Sequence, residues 1–410
     1  MKIAILSKAD ASGGGASRVA EELAELLNTN GHTAHHYLSQ KRSDNVTARS
    51  LYGNFAVSPI FRRFHYYVKR LGFPELIPWE FFLLQLQNIQ HYDLLHFHDL
   101  SSAISPFTVK YLARHMPVVW TFHDCSPFTG GCLYPMGCHQ YQTRCGRCPQ
   151  LGIWPIDSNI DFTGFMQDIK RTIANSRTVM PIAPSQWMAH TAVKSGLYQN
   201  LPKIIPNGVD TTVFCPTDDR LSLRKKLGLP TDRPLILVIA AYIGEVRKGI
   251  HFAIKAISQI AYLNPAIVVL GHMDTQSQNA FVDMDVTFTG YINDDRLKAH
   301  YMAASDVFLF TSLADNLPLV VLETMACGTP TVGFATGGVP EMVQHNHTGY
   351  LAPPANIPAL VDGLKLAFSS NHTAEWGRNA RRRAEMVYSH EIFLQHHLEF
   401  YETVVEKSRR

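Results

Sequence analysis

The sequence lacks the features that indicate a membrane-spanning, secreted or nucleic-acid-binding protein. It contains no apolar run long enough to cross a bilayer, and its opening residues lead directly into a predicted strand instead of a signal peptide. Its 37 Lys and Arg nearly balance 34 Asp and Glu, and no basic tract is interleaved as a nucleic-acid surface requires. We therefore expect a cytoplasmic protein without a nucleic-acid partner, whose seven cysteines do not form a disulfide framework.

The residues that are present indicate a large α/β protein. A length of 410 residues is comfortable for two domains, and 46% hydrophobic with 17% charged residues is typical of globular chains. Short apolar runs alternate with helical patterns along the chain, which is the repeat of a parallel α/β sheet. An Asn207-Gly208 turn beside Pro206 has the composition of a hinge, and we place the domains at 1–205 and 206–389.

The segment Phe308–Glu341 carries the chemistry around which we interpret the rest of the chain. It is predicted to contain a strand at Val307–Phe310, a helix at Leu319–Ala326 and a second strand at Thr331–Phe334. The first N–H groups of a helix have no partner within it and carry the positive end of its dipole. The turn before this helix, Asp315–Pro318, is therefore a place for a phosphate.

Two carboxylates flank that phosphate position. Asp315 lies before the predicted helix, and Glu323 follows eight residues later. If the helix begins close to Asp315, both acids lie near one of its faces, about 12 Å apart along the axis. Acids repel a phosphate between them but suit hydroxyl groups on either side of it. This is the layout of a sugar nucleotide, with a hexose and a ribose on the two sides of a pyrophosphate.

Arg247 and Lys248 stand at the predicted start of another helix, after the apolar strand Pro234–Ala241. Two cations are unfavourable at the positive end of a helix dipole unless an anion is bound there. This anomaly favours a bound pyrophosphate, with Lys248 as the stronger candidate, over a pair of solvated charges.

A glycine loop follows the first predicted strand, Lys2–Leu6, and precedes a helix. This order suits a dinucleotide, but Arg18 stands where the third glycine of G-x-G-x-x-G belongs. The second strand also ends in Ser39-Gln40 without the acid that binds a ribose 2′-hydroxyl. We therefore disfavour nicotinamide and keep two alternatives for Gly13–Gly15, a ligand-binding loop or a tight turn without a ligand.

Polar side chains end two predicted strands of the first half, His98 after one and His123-Asp124 after the next. Ligands gather beyond the carboxyl ends of the strands in open parallel sheets, so these residues are predicted to line one crevice. The alternative for each histidine is a ring satisfied by hydrogen bonds in the core. The sequence leaves both interpretations open for His98 and favours a site residue at His123.

Four cysteines lie within 17 residues of each other, namely Cys132, Cys138, Cys145 and Cys148. The last two form C-x-x-C in a turn with glycine and proline, so the four thiols suit a tetrahedral structural zinc. The alternative is a set of buried or redox-inactive free thiols.

Residues 58–86 mix basic and aromatic side chains. Such a segment can seat a helix on an anionic membrane surface, which would make the protein peripheral on the inner face of the membrane. The alternative, which we favour, is a helix packed on the sheet with a charged outer face.

The motif Asp315-x7-Glu323, followed by Ala326–Pro330 and Gly337–Glu341, resembles the donor site of family-4 glycosyltransferases of GT-B fold. The Asp-Asn-x-Pro variant at Asp315 and the segment FTGGC followed by CGRCPQLG resemble a bacterial polysaccharide subgroup of the colanic-acid type. The resemblance implies two facing Rossmann-like domains with an interdomain cleft. Domain 1–205 would be the acceptor side, joined by a C-terminal helix at 390–410, and domain 206–389 would bind the nucleotide sugar.

The resemblance also implies a reaction, the retaining, metal-independent transfer of a hexose from a UDP- or GDP-sugar to a glycan or lipid-linked glycan, without a cofactor for catalysis. The implied catalytic residues are His123, which stabilises the reacting sugar, Asp315, which orients the hexose, and Lys248, which neutralises the leaving diphosphate. The implied donor-binding residues are Gly14, Gly15, Arg247, Lys248, Gly290, Tyr291, Asn316, Leu317, Pro318, Leu319 and Glu323. Among them, Glu323 would hold the ribose, and the main chain at Gly290 and Tyr291 would read the base.

Two departures from the family pattern keep alternatives open. Asp315 replaces the first glutamate of the signature, and Ala241-Tyr242 replaces the usual Gly-Arg, so that the arginine role passes to Arg247. A sugar-nucleotide epimerase of the same fold would need acid and base groups around one sugar and no acceptor. Intact Lys248 and Glu323 argue against a non-catalytic sugar-nucleotide-binding protein, but the aspartate at 315 leaves it open.

Overall fold

The computed structural model describes residues 1–40, 47–51, 60, 63–64, 67–68, 78–101, 103–242, 245–273, 278–369 and 372–409. The chain divides into two compact units, one formed by Met1–Pro206 with Leu394–Arg410 and the other by Asn207–Phe393. Each unit has its own parallel sheet with intervening helices. The predicted fold class, an α/β protein with two Rossmann-like doubly wound domains, is confirmed.

Within its described residues, the first unit contains a seven-stranded parallel sheet in the order β3-β2-β1-β4-β5-β6-β7. The strands are β1 Lys2–Ala9, β2 Thr33–Gln40, β3 Ala48–Ser50, β4 Leu94–Phe97, β5 Val118–Thr121, β6 Val179–Ala183 and β7 Lys203–Ile204. Strands β4 and β5 are buried along their whole length, which agrees with their nearly continuous apolar sequence. Because β1, β4 and β5 are neighbours and parallel, the loops that follow them start at the same edge of the sheet.

Six helices belong wholly or mostly to the first unit. They are α1 Gly15–Thr29, α2 Trp79–Leu86, α3 Pro106–Leu112, α4 Thr163–Ala174, α5 Gln186–Lys194 and the C-terminal helix, α13 His390–Arg409. This number of helices refers only to the residues that the structure describes. From Leu394 onward, α13 is part of this unit, and it buries Tyr401 and Val404.

The second unit, in its described part, is built on a six-stranded parallel sheet in the order β10-β9-β8-β11-β12-β13. The strands are β8 Leu235–Tyr242, β9 Ala266–His272, β10 Val286–Gly290, β11 Val307–Phe310, β12 Thr331–Phe334 and β13 Gly349–Ala352. The helices are α6 Arg220–Lys226, α7 Ile250–Ser258, α8 Asp295–Ala304, α9 Leu319–Ala326, α10 Val339–Met342, α11 Ile357–Ser369 and α12 His372–Tyr388.

One helix is shorter than the sequence predicts. The amphipathic pattern of Trp154–Ser176 indicates a single helix, but α4 begins only at Thr163. The Asp161 carboxylate accepts hydrogen bonds from the backbone N–H and the hydroxyl of Thr163 and from the backbone N–H of Cys148. These bonds fix a turn immediately before the helix, so the residues upstream follow a different path.

The basic and aromatic segment 58–86 lies mostly outside the described residues, so its membrane and packing alternatives stay predictions. Its described end is α2, in which the buried Glu80 carboxylate accepts hydrogen bonds from the Ser105 amide and the Thr108 hydroxyl. No helix in the described ranges is both long enough and apolar enough to span a bilayer.

Candidate active site

Two loops meet at the carboxyl edge of the second sheet. Strands β8 and β11 are parallel neighbours, and the loops after them carry Arg247-Lys248 and Asp315. Lys248 Nζ lies 2.9 Å from Asp315 Oδ2, and Arg247 Nη1 lies 3.2 Å from Asp315 Oδ1. The structure therefore brings two adjacent cations together with a carboxylate that lies 67 positions after Lys248 in the sequence.

Hydrogen bonds between the two loops fix the position of the cations. Leu313 N donates to Arg247 O at 2.8 Å, the Thr311 hydroxyl donates to Lys248 O at 3.1 Å, and Arg247 Nη1 donates to Ala314 O at 2.6 Å. Gly249, between the cations and α7, has φ 64°, and a Cβ there would lie 2.3 Å from Thr311 O. A side chain at this glycine would push the loops apart.

Asp315 is held as an ionised carboxylate. Burial alone would raise its pKa, but the opposite charges of Lys248 and Arg247 and the hydrogen bond from Ser312 bring the pKa below its ordinary value. The Ser312 hydroxyl donates to Asp315 Oδ2 at 2.7 Å. Arg247 also pairs with the more exposed Glu245, its Nε lying 2.8 Å from Glu245 Oε1, so both cations are held by carboxylates for which an anionic ligand could substitute.

A glycine turn packs against the backbone of Asp315 and Asn316. Gly337 has φ 54°, and a Cβ there would lie 1.6 Å from the carbonyl oxygen of Asp315. The next residue, Gly338, donates its N–H to Asn316 O at 2.8 Å. The glycines of the sequence motif therefore shape the loop that carries Asp315.

The condition under which both acids would lie near one helix face, a helix that begins close to Asp315, is not met. Helix α9 begins at Leu319, so that Glu323 lies on it while Asp315 precedes it by four residues. Pro318 caps the helix with an extended backbone, and a residue before proline avoids the α conformation, so Leu317 cannot extend the helix backwards. Asn316 and Leu317 lie in the turn, and the buried Asn207 amide donates to Leu317 O at 2.9 Å.

Glu323 is buried and has a cation partner that the sequence analysis missed. Lys298 Nζ, from α8, lies 2.9 Å from Glu323 Oε1 and 3.1 Å from Asp295 Oδ1. The pair joins two helices that are 25 residues apart in sequence, so no local pattern indicates it. Each acid of the Asp315-x7-Glu323 motif is thus neutralised by basic side chains.

An aromatic pair lies at the end of β9 and β10. Gly290 has φ 72° and closes β10, and Tyr291 after it is 45% exposed. The Tyr291 ring stacks on His272, with centroids 5.1 Å apart and planes inclined by 2°. His272 was not predicted as a site residue, although it ends the strand beside β10. The pair offers a flat, exposed surface at the place where the base is predicted.

The glycine loop of the first unit is exposed. Gly14, with φ 113°, caps α1, and nothing lies within 4 Å of a Cβ built on it, whereas one on Gly13 would lie 2.5 Å from Ala9 Cβ. The loop therefore passes close to the end of β1 and presents the backbone of Gly14 and Gly15 to solvent. Arg18, at the place of the missing third glycine, forms an ion pair with Glu22 at 2.7 Å along the helix.

His98 and His123 lie side by side, with His98 Nδ1 2.9 Å from His123 Nε2. His98 is buried and His123 is half-buried. Burial lowers the pKa of His123 to about 3 and the pKa of His98 well below its ordinary value, so both rings are neutral. His98 therefore has features of both interpretations. It is a core ring with hydrogen-bond partners, and it contacts His123, the candidate site residue.

The four predicted zinc ligands line one small cavity. Cys132, Cys138, Cys145 and Cys148 surround a volume of about 20 Å³ as free thiols. Gly130 N donates to Cys145 Sγ at 3.2 Å, and burial raises the pKa of the Cys132 thiol to about 12. Across the described residues, no group of three or more His, Cys, Asp or Glu has the arrangement of a metal site. The zinc therefore stays a prediction.

Two family models cover most of the chain. The model described as Glycosyltransferase Family 4 matches residues 13–213, and the model described as Glycosyl transferases group 1 matches residues 219–383. An uncharacterised glycosyltransferase of Methanocaldococcus jannaschii is 24% identical over 369 residues, covering 84% of this chain and 86% of its own. The putative colanic acid biosynthesis glycosyl transferase WcaC of Escherichia coli K12 is 25% identical over 326 residues, 76% of each chain.

Solved structures share the fold. Sucrose-phosphate synthase from Thermosynechococcus elongatus aligns with a TM-score of 0.71 at 21% identity, over 99% of both chains. Anabaena HepE in complex with UDP aligns with a TM-score of 0.70 at 20% identity, over 98% of this chain and 100% of that one. The fold and the two family models define the protein as a glycosyltransferase of the GT-B class. Within that class, it belongs to the family-4 type.

Proposed function

We propose that the protein is a retaining, metal-independent hexosyltransferase that uses a UDP- or GDP-sugar and extends a glycan or lipid-linked glycan in bacterial polysaccharide biosynthesis. The observation that carries the proposal is the cluster of Lys248, Arg247 and Asp315 beside the start of α9. The similarity to WcaC, whose name assigns it to colanic acid biosynthesis, supports the polysaccharide context. The UDP complex of HepE supports a nucleotide donor.

The cluster suits a diphosphate because its charges can change partners. Lys248 is held by Asp315, and Arg247 is held by Asp315 and Glu245, and a diphosphate arriving at α9 would draw both cations away from Asp315. The unpaired N–H groups at the start of α9 would add further donors. Charge that builds on the diphosphate as the sugar leaves is then stabilised by groups already in position.

Once the diphosphate has drawn the cations away, Asp315 and Glu323 bind different parts of the donor. Asp315, no longer held by both cations, accepts hydrogen bonds from hydroxyl groups of the hexose. Glu323, whose charge is balanced by Lys298, accepts hydrogen bonds from the ribose hydroxyls. The Tyr291 and His272 rings, with the backbone at Gly290, bind the base.

The first unit supplies the remaining assignments. We assign to His123 the stabilisation of positive charge on the sugar, and to the exposed backbone of Gly14 and Gly15 a contact with the donor phosphates or the acceptor. The cysteine cluster has no part in the reaction, and a zinc held there would be structural.

A donor screen tests the proposal. The purified chain is titrated calorimetrically with UDP-, GDP- and ADP-hexoses, and product formation with glycan acceptors is followed with and without EDTA. We expect one class of sugar nucleotide to bind, transfer to resist EDTA, and NMR to show the anomeric configuration of the donor kept in the product. Inversion, or a requirement for a free divalent ion, would contradict the mechanism.

The same screen separates the alternatives. An epimerase would convert the sugar nucleotide into its epimer without any acceptor, and a non-catalytic protein would bind it without turnover. Failure to bind any sugar nucleotide would remove the proposed function altogether.

A further inference from the structure

A chain of three histidines runs from a half-buried ring into the core of the first unit. His123 Nε2 lies 2.9 Å from His98 Nδ1, and His98 Nε2 lies 3.3 Å from His96 Nδ1. The rings also pack on each other, with centroids 5.1 Å apart for His98 and His123 and 4.1 Å apart for His96 and His98. The geometry follows from the sheet, because alternate residues at the ends of the parallel neighbours β4 and β5 point to the same face.

Two hydroxyl groups end the chain inside the core. His96 Nδ1 lies 2.6 Å from Tyr401 Oη of the C-terminal helix α13, and His96 Nε2 lies 2.7 Å from Thr121 Oγ1. His96, His98, Thr121 and Tyr401 are all buried. Both nitrogens of each buried ring therefore have a polar neighbour within 3.3 Å.

Packing alone does not account for these residues. Each buried polar ring costs about 1–3 kcal/mol unless it is hydrogen-bonded, and an aliphatic side chain of similar size has no such cost. Satisfied buried networks instead restrict the orientation of their members. The member whose orientation matters for chemistry is His123, since it is the ring nearest to solvent.

The chain also links the nitrogen of His123 that carries the proton to the tautomer of His98. A neutral imidazole has one N–H, and burial lowers the pKa of all three rings, so every ring donates at one nitrogen and accepts at the other. If His98 donates at Nδ1, His123 Nε2 accepts, and the proton of His123 is on Nδ1. If His98 donates at Nε2 to His96, its Nδ1 accepts, and the proton of His123 is on Nε2.

We propose that His98 is the positioning residue of His123. Its Nδ1 fixes the ring orientation and the tautomer of His123, and the contact of its Nε2 with His96 helps to hold the His98 ring in place. The inference rests on the role proposed above for His123, and it adds a residue that acts through that ring rather than on the sugar.

Two amide substitutions at one position test the proposal. Asn places its amide near the Nδ1 position of an imidazole, and Gln places its amide near the Nε2 position. His98→Asn therefore keeps a partner for His123 and loses the bond to His96, whereas His98→Gln does the reverse. The two variants replace the same buried ring, and their thermal unfolding midpoints reveal any difference in folding.

Transfer kinetics give the first readout. We expect His98→Gln to lower kcat about tenfold or more with an unchanged KM for the donor, and His98→Asn to stay within about threefold of the wild type. Equal losses in both variants would mean that the ring only fills space, and would overturn the proposal.

A spectrum gives the second readout and needs no activity. Long-range 1H–15N correlation spectra of protein labelled with 15N-histidine distinguish the two tautomers, and His123→Asn identifies the His123 signals by their loss. We expect a single His123 tautomer in the wild type and in His98→Asn, and a mixture in His98→Gln. An unchanged tautomer in His98→Gln would overturn the proposal. Should no sugar nucleotide support transfer, the proposed function fails while this spectrum still decides the role of His98.

Discussion

The two units place polar side chains at the same kind of location, the carboxyl ends of neighbouring parallel strands, but satisfy them in different ways. In the second unit, Lys248 and Arg247 lie 2.9 and 3.2 Å from the Asp315 carboxylate. In the first unit, the corresponding ends carry His98 and His123, neutral rings joined at 2.9 Å. Paired charges can exchange partners with a charged ligand, whereas neutral rings act on a ligand through their dipoles and hydrogen bonds.

Burial acts on both clusters, and the neighbours decide the outcome. At Asp315, two cations overcome the effect of burial and hold the pKa below its ordinary value. At His123, burial is reinforced by the nearby His397, and the pKa falls to about 3. The difference separates charge neutralisation in the second unit from orientation in the first.

The largest expected effect comes from removing one cation of the second unit, because charge neutralisation is the function proposed for that cluster. Lys248→Met is expected to lower kcat/KM about 10³-fold, since a donor group directed at the developing charge is lost and buried Asp315 keeps one cation fewer. Steady-state kinetics and titration with inorganic pyrophosphate measure the effect. Lys255→Met, an exposed lysine on α7, is the matched control and should be neutral. A loss of less than about tenfold would mean that Lys248 is not the main diphosphate ligand.

The next prediction concerns the four-cysteine cavity, where a bound zinc would give the first unit a charged site of its own. If the four thiols bind zinc, elemental analysis finds one zinc per chain, and Cys148→Ser loses it together with about 4 kcal/mol of stability. Cys215→Ser removes an exposed cysteine outside the cluster and should change neither quantity. A wild-type chain without zinc, with all four thiols open to a thiol reagent after unfolding, would establish the free-thiol alternative.

The strands and the helix around Asp315 could be predicted from local features of the sequence. The predicted bounds of β11, α9 and β12 match the structure residue for residue, because buried parallel strands are continuous apolar runs and Gly328-Thr329-Pro330 ends the helix. The position of Asp315 outside the helix also has a local cause, because Pro318 prevents the helix from starting earlier.

Side chains that meet only through tertiary packing leave no local signal in the sequence. Lys298 reaches Glu323 only because α8 packs against α9, and the Tyr291–His272 stack depends on how β9 and β10 pair. In the same way, the hydrogen bond from His96 to Tyr401 joins residues 305 positions apart. The sequence could propose the acids, the two cations beside Asp315, His98 and His123, but not Lys298, His272 or Tyr401, which reach them only through packing.

A substitution at Glu323 separates the proposed ribose contact from the proposed diphosphate contacts. Glu323→Gln is expected to weaken binding of the full nucleotide sugar about 10²-fold and to leave pyrophosphate binding unchanged, because only the ribose contact is lost. Isothermal titration with both ligands measures this difference. Asp295→Asn, which alters the other and more exposed carboxylate beside Lys298, is the matched control. Equal weakening of both ligands would assign Glu323 to the diphosphate instead.

The neutral rings of the first unit are expected to make stability depend on pH. Because the pKa of His98 is lowered on folding, the unfolded chain binds more protons there, so this contribution to stability is complete above about pH 6.5 and falls as the pH decreases. The loss approaches about 1.4 kcal/mol per pH unit below that value.

Comparison with a variant isolates this contribution. Desolvation and the nearby Asp124 raise the pKa of the half-buried Asp99 to about 7, which opposes the effect of the histidines, so the wild-type curve alone is not diagnostic. The free energy of unfolding of wild type and His98→Asn, measured in urea at pH 7, 6 and 5, should differ progressively less as the pH falls. Parallel curves would mean that His98 is not held neutral by the fold.

The smallest expected effect concerns the base, where neither formal charge nor a buried network is involved. Tyr291→Ala removes an exposed ring stacked on His272, and an aromatic stack contributes about 0.5–1.5 kcal/mol, so the affinity for the nucleoside diphosphate should fall about two- to twelvefold. Tyr291→Phe keeps the ring and should retain the affinity. Fluorescence or calorimetric titration with UDP and GDP measures both variants. If Tyr291→Ala binds as tightly as Tyr291→Phe, the base does not stack there, and the backbone at Gly290 is left as the proposed base contact.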